Sequence, residues 1–384
     1  MFTSAALLVG GLAGCAAPEP ERLTTYAMGS VVQQTVYGSE GQEVAAQAAS
    51  AIQELENRIS WRVEGSDVRR LGGTLPVAVD ARTFRVLQTA VAVGQASMFR
   101  QDQSMDVGWP KYALDITMAP VIKLWDFDGE PRVPAWEEIV AALARVGLRN
   151  VHLYENKEGG TVLLENGVSL DLGALGKGSA CDEALKLYRK AVQDQKLQGA
   201  VIAVGGSVAV FGQKPDKTPW RIAVRDPKTD GTLGEIEMNS GFVSTSGSYE
   251  KTFTENGKTY HHILDPSTGY PAESGLVSVT VWMPGATQYD AWETSARDVP
   301  LSKEGRDALG IDIPTHPLYN GGVADALSTA CFVLGVKDSL PVLEKFGAQA
   351  IFITENDEIY CTDDIREAFT LDPDKGYTLK ETLP

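Results

Sequence analysis

Positive charge is what this chain has least of for its size. In 384 residues, 34 Lys and Arg stand against 51 Asp and Glu, a net charge of −17. Without a basic surplus it is a poor partner for nucleic-acid phosphates. For the same reason no polybasic patch holds it to anionic lipid. Cysteine is scarce too. Four residues with no C-x-x-C spacing exclude a disulfide scaffold and give no redox or zinc signature. Histidine is as rare, with four, two of them adjacent at positions 261 and 262. No G-x-G-x-x-G opens a helix after a strand and no Walker A loop occurs, so the standard nucleotide folds find no support. Repeats and heptads are absent. With 43% hydrophobic and 22% charged residues, wholesale disorder and collagen-like structure are excluded. The length suits one large domain or two fused lobes. If the ligand is a phosphate ester, something other than net charge must hold it.

The N-terminal apolar run, Ala5 to Ala13, is too short to span a bilayer as a mature helix but has the length of a signal-peptide h-region. No Lys or Arg precedes it. Leu12-Ala13-Gly14-Cys15 then resembles a bacterial lipobox, with Cys15 the lipidation site. The expected organisation is a signal peptide over 1–15, a tether over 16–24, and a folded domain over 25–384 held outside the cytoplasm by a lipid anchor. Cys181 and Cys331 sit in apolar helical contexts and are expected to be buried thiols.

Along the chain, 29–37 reads as a strand. Val44, Ala48, Ile52, Leu55 and Ile59 mark a helix. Helices are also predicted over 82–98, 136–146 and 178–192. The Asn166-Gly167 turn predicts a hairpin over 161–172. Strands are expected over 200–211, broken at Gly205-Gly206, and over 220–224 and 275–282. A helix is predicted to start at Asp325 and end before Gly335, and a hairpin to pair 350–353 with 358–361. The mixture lacks a βαβ period, which predicts an α+β fold. Residues 294–322, rich in charge, Gly and Pro, read as an insertion.

Four stretches carry candidate chemistry. In the first, Asp171 leads into a Gly-rich turn and a helix with Lys177 at its mouth. Such a turn exposes backbone groups to an anion, although an ordinary strand-to-helix turn with an exposed lysine has the same residues. In the second, Asp325 and Thr329 are four apart and share one helical face. A carboxylate and a hydroxyl so placed suit a hard cation such as Mg²⁺; an acid complementing the helix dipole is the plainer alternative. Asp290 and Thr294 repeat the spacing upstream. The third stretch, Thr245–Lys251, is followed by His261, His262 and a strong Asp265–Gly269 turn. A histidine there is either a general base or structural. The fourth runs from Ala113 through Leu114, Asp115 and Thr117 to Trp125 and Phe127, aromatics for stacking or for the core.

Together the motifs D-x-T-x-x-P-x-x-x-L-W-x-F, D-L-G-x-x-x-K-G-x-x-x-D, T-S-G-x-Y-E, H-I-x-D-P-x-T-G and A-D-A-x-S-T-A, in this order, resemble the FAD:protein FMN transferases, bacterial flavin-trafficking lipoproteins. The similarity runs from Tyr26 to about Gly335. It implies a mixed, two-lobed, T-fold-like α+β architecture forming one compact catalytic unit. It implies Mg²⁺ bound by the Ala174 carbonyl, Asp325 and Thr329, with Ser328 adjacent. The implied flavin pocket uses Met28, Trp61, Ala113, Leu114, Asp115, Asp171, Lys177, Ile263 and Leu264. Trp61 stands where the family often has tyrosine. His262 matches the catalytic histidine, and His261 is the incidental neighbour. The implied reaction moves FMN from FAD, the substrate, to a Thr or Ser hydroxyl of a target flavoprotein subunit, with release of AMP. Two alternatives stay open: an FAD pyrophosphatase giving FMN and AMP, and a non-catalytic FAD-binding lipoprotein.

Overall fold

The computed structural model describes residues 19–73, 75–99, 111–156, 159–284 and 320–384. The lipobox with Cys15, the Asp290/Thr294 pair and residues 294–319 of the expected insertion lie outside them. The chain opens with a hairpin, β1 (Glu21–Ala27) and β2 (Ser30–Tyr37), and then α1 (Gly41–Ile59) and α2 (Asp67–Arg70). Next come β3 (Val77–Asp80), α3 (Ala81–Ala96), α4 (Ala119–Trp125), α5 (Trp136–Leu143), β4 (Val151–Asn156) and β5 (Gly159–Leu164). The central part holds α6 (Gly176–Gln193), β6 (Gly199–Val204), β7 (Ser207–Gly212), β8 (Trp220–Arg225), β9 (Thr232–Met238) and β10 (Gly241–Gly247). A small hairpin, β11 (Thr252–Glu255) and β12 (Lys258–His261), precedes β13 (Leu276–Pro284). The chain finishes with α7 (Asn320–Phe346), β14 (Gln349–Thr354), β15 (Glu358–Cys361), α8 (Asp363–Ala368), β16 (Phe369–Leu371) and β17 (Thr378–Leu379).

Nine strands form the main sheet, in the order β1-β2-β6-β7-β10-β13-β14-β15-β17. Its pairs are antiparallel apart from β15–β17. The period-two alternation of side chains divides two cores across it. Ala209, Phe242, Val279, Val281, Ala350 and Phe352 face a core shared with α1, α3, α6 and α7. Their neighbours Val210, Val243, Ile351 and Ile353 face a second core under the β16-β9-β8 sheet. A satellite core of Met118, Val121, Trp125, Ile139 and Leu264 joins α4 and α5 to the β11–β12 hairpin. One α+β unit results, as the mixed pattern predicts.

Several local expectations are corrected. Residues 21–24, assigned to the tether, form the first half of β1, which pairs with β2 over its whole length. The Asn166-Gly167 turn exists, with φ of 53° and 69°, but 168–172 does not pair back onto β5. Both edges of β5 are already taken, by β3 and β4, so the hairpin is β4–β5. Residues 320–322 are not insertion but the start of α7, so Asp325 is its sixth residue rather than its first. The stop at Gly335 holds: φ 75° and ψ 175° break the helix there. Cys181 and Cys331 are buried, as expected, and so is Cys361.

Candidate functional site

The site is organised by the N-termini of α6 and α7. The first amides of a helix lack intrahelical acceptors. In α6 the Gly178 N–H donates to Asp325 Oδ2 at 2.9 Å, not to the Ala174 carbonyl four residues back. That carbonyl is left free for another partner. Asp325 lies wholly inside the protein, and burial raises its pKa against the pull of Lys177, Gly178 and Ser207. Lys177 Nζ is 3.7 Å from Oδ1, an ion pair beyond ordinary hydrogen-bond length. Ser328 Oγ donates to the Asp325 carbonyl at 2.7 Å. Ser246 Oγ lies 2.7 Å from Ser328 Oγ and 3.1 Å from Thr329 Oγ1. Ser328 and Thr329 thus meet at Ser246, one turn of α7 beyond Asp325, whose carboxylate faces Gly178 and Lys177.

These groups pass a chemical test for Mg²⁺. The donors are all oxygens: one carboxylate, hydroxyls, and a peptide carbonyl without its helical partner. A wholly buried carboxylate facing one lysine at 3.7 Å is short of positive charge. A hard cation would supply it.

His262 sits at the end of the small hairpin, its N–H donating to the Lys251 carbonyl at 3.2 Å. Its Nδ1 is buried without a protein partner. Burial first, then the charges of Lys251, Lys177 and His261, pushes its pKa down to about 4 against the opposing pull of Asp128. The imidazole is neutral at pH 7 and can accept a proton. His261 is held differently. Its Nε2 meets the Ala272 carbonyl at 3.1 Å and its ring is edge-on to Phe332. It is structural.

The residues expected at the flavin pocket are placed as follows. Met28 has φ 55°, which a bulky side chain rarely adopts. With Gly29 at φ 64° it makes the two-residue β1–β2 turn. A side chain added at Gly176 would lie 3.9 Å from the Met28 sulfur, so this turn abuts the start of α6. Trp61 Nε1 donates to Asp171 Oδ2 at 2.9 Å, and Asp171 Oδ1 accepts the Gly173 N–H at 2.8 Å. Arg62 and Lys123 each lie 4.6 Å from the Trp61 ring centroid. Asp128 joins Arg62 and Lys251 at 2.5 Å each. Asp115 is buried, accepting from Thr117 and from the Leu148 N–H, so it shapes the loop bearing Ala113 and Leu114. Ile263 and Leu264 are buried beside His262. Trp125 belongs to the satellite core, bonded to the Gly269 carbonyl and ringed by Phe127, Phe253, Tyr260 and Tyr270.

Ser207 and Ser246, which touch these groups, and Asp182, which caps α7 behind them, are not singled out by sequence reasoning. Ser244 Oγ donates to Ser207 Oγ at 2.9 Å, and Ser207 supports Asp325. Ser246 and Asp182 stand inside quoted motifs, the only signal the chain offers for them.

The whole is an α+β protein with an oxygen-rich cluster at paired helix N-termini, beside a neutral histidine and several cations. The chain belongs to the ApbE family, which matches residues 28–305. It is 34% identical over 190 residues to an FAD:protein FMN transferase of Escherichia coli K12, covering 47% of this chain and 52% of that protein. The match thus spans about half the length of that relative. A Klebsiella pneumoniae FAD:protein FMN transferase is 32% identical over 274 residues, 70% of this chain and 78% of the relative. The crystal structure of the ApbE protein from Thermotoga maritima superposes with a TM-score of 0.71 at 30% identity, over 91% of this chain and 99% of that one. The Vibrio cholerae flavin transferase ApbE shares the fold, with a TM-score of 0.67 at 22% identity over 91% and 99%.

Proposed function

We propose that the protein transfers FMN from FAD to a Thr or Ser hydroxyl of a target protein and releases AMP. The observation that carries this reading is the convergence of a neutral, unpartnered His262 Nδ1 with Lys177 and the Asp325–Ser328–Thr329 oxygen cluster. Storage of FAD needs neither a base nor a buried carboxylate. The relatives' names agree with transfer.

The acceptor hydroxyl attacks the FMN-side phosphorus. A new P–O bond forms to the acceptor, the pyrophosphate P–O bond breaks, and AMP leaves with the bridging oxygen. His262 takes the hydroxyl proton, which a weak nucleophile must lose as it attacks. Lys177 and Lys251 place positive charge beside the phosphates, which the net charge of the chain does not provide. Asp325, Thr329, Ser328 and the Ala174 carbonyl would hold Mg²⁺. When bound, the ion offsets charge developing on phosphate oxygens. Met28, Trp61, Asp171, Ile263 and Leu264 confine the flavin, with Asp115 setting the 113–115 loop. We further propose, from the lipobox alone, that Cys15 carries lipid and that the domain works at the outer face of a bacterial membrane.

The test is to incubate the protein with FAD, Mg²⁺ and an acceptor polypeptide. Mass spectrometry should find an FMN phosphoester on Thr or Ser and equimolar AMP. AMP and free FMN without adduct would replace transfer by hydrolysis. Bound, unchanged FAD would reduce the protein to a carrier.

A further inference from the structure

The two helices that build the metal cluster cap each other. Asp325, on α7, accepts the Gly178 N–H in the first turn of α6. Asp182, on α6, accepts the Gly321 N–H at 3.0 Å and the Gly322 N–H at 2.9 Å in the first turn of α7. The arrangement is reciprocal. Each carboxylate lies about two turns into its own helix and satisfies the orphan amides of the other. The backbones meet where the caps cross. A Cβ on Gly178 would fall 1.9 Å from the Gly321 carbonyl oxygen, and one on Gly321 would fall 2.4 Å from that of Gly178. Only glycine permits this approach.

The catalytic reading uses Asp325 and leaves Asp182 without a task. Yet Asp182 is as deeply buried, with relative exposures of 2% for both. Gly321 and Gly322 are its partners, four and three residues before Asp325 on the same helix. A turn of helix held there fixes where Asp325 and Thr329 point, since both project from the following turns. With Gly178 pinned to Asp325 Oδ2, the other oxygen faces Lys177. The α6 carboxylate thus sets the register of α7 against the loop that carries Ala174.

We propose that Asp182 is a positioning residue for the divalent-metal site: it holds the start of α7 so that Asp325 and Thr329 meet the Ala174 carbonyl in one coordination sphere. The proposal rests on the reading that Asp325 binds the metal. Asp182 touches neither substrate nor metal.

The test follows Mg²⁺ in two ways on the full domain: the concentration giving half-maximal FMN transfer, and the concentration that half-saturates the Mg²⁺-induced rise in melting temperature with FAD present. Asp182→Asn keeps the size but sets an N–H₂ against an amide donor. Asp182→Ser keeps a shortened acceptor without charge. Both half-saturation values should rise about tenfold, as removal of groups that orient metal ligands commonly does. The rate at saturating Mg²⁺ should recover to at least half of wild type, and FAD binding without metal should not change. Unchanged Mg²⁺ dependence would overturn the proposal, and so would a loss of rate that Mg²⁺ does not restore. Failure of both variants to melt cooperatively would also overturn it, by making the acid a fold requirement. Asp325→Asn is measured alongside. If it keeps wild-type Mg²⁺ dependence, the metal reading itself fails. If it loses that dependence while the Asp182 variants keep it, only the positioning role fails.

Discussion

Lowering the pH should destabilise this protein in part through one histidine. His262 has its pKa pushed down to about 4 in the folded chain, from 6.5 when exposed, with burial the leading cause. Above pH 6.5 the ring is neutral in both states and exacts nothing. Between 6.5 and 4 the unfolded chain binds a proton that the folded chain refuses, so stability falls as the pH falls. A window of about 2.5 pH, at 1.36 kcal/mol for each, is worth about 3 kcal/mol by pH 4. Other groups titrate in the same range, so the measurement is a difference. Urea unfolding of wild type and His262→Gln at pH 7.0 and 4.5 should show wild type losing about 2 to 3 kcal/mol more than the variant on acidification. The same cause puts the acid limb of kcat/KM near pH 4 to 5 instead of 6.5. Equal losses in the two proteins would refute the buried, neutral imidazole and leave the transfer reaction without its base.

Thr329→Val keeps volume and removes a hydroxyl. It should raise the Mg²⁺ concentration for half-maximal transfer about tenfold, with Thr329→Ser restoring it, as Mg²⁺ titrations of initial rate would show. Gly178→Ala drives a Cβ into the Gly321 carbonyl and should cost about 2 to 3 kcal/mol in urea unfolding. Met28→Gly removes a left-handed methionine, so strain relief offsets lost packing and folding stability should stay within about 1 kcal/mol. FAD binding, followed by flavin fluorescence, should weaken at least about threefold in that variant if the side chain contacts the flavin.

Much of this structure is legible in the sequence because local rules decide it. The α1 stripe from Val44 to Ile59 is buried where its period places it. Asp325, Thr329, Lys177 and His262 stand in motifs whose spacing already suggests oxygen ligands, a phosphate charge and a base. What escapes is decided by distant partners. Residues 168–172 have a strand pattern and a turn before them, yet β5 has no edge to offer. The start of α7 carries glycines that read as loop, and only the Asp182 carboxylate from another helix makes them helical caps. Ser207 and Ser246 are ordinary strand serines until β7 and β10 bring them to the α7 face. Residues 21–24 read as tether because an edge strand gains its stability from its partner, not from its own pattern.

The central claim is attack by a protein hydroxyl on the FMN-side phosphorus of FAD. Running the reaction in ¹⁸O-labelled water and weighing both products tests it most directly. The account predicts unlabelled AMP, with its phosphate oxygen drawn from the pyrophosphate bridge, and an unlabelled FMN phosphoester on the acceptor. Label in AMP would mean attack by water at the adenylate phosphorus, and label in free FMN without adduct would mean hydrolysis at the FMN phosphorus; either would contradict the account.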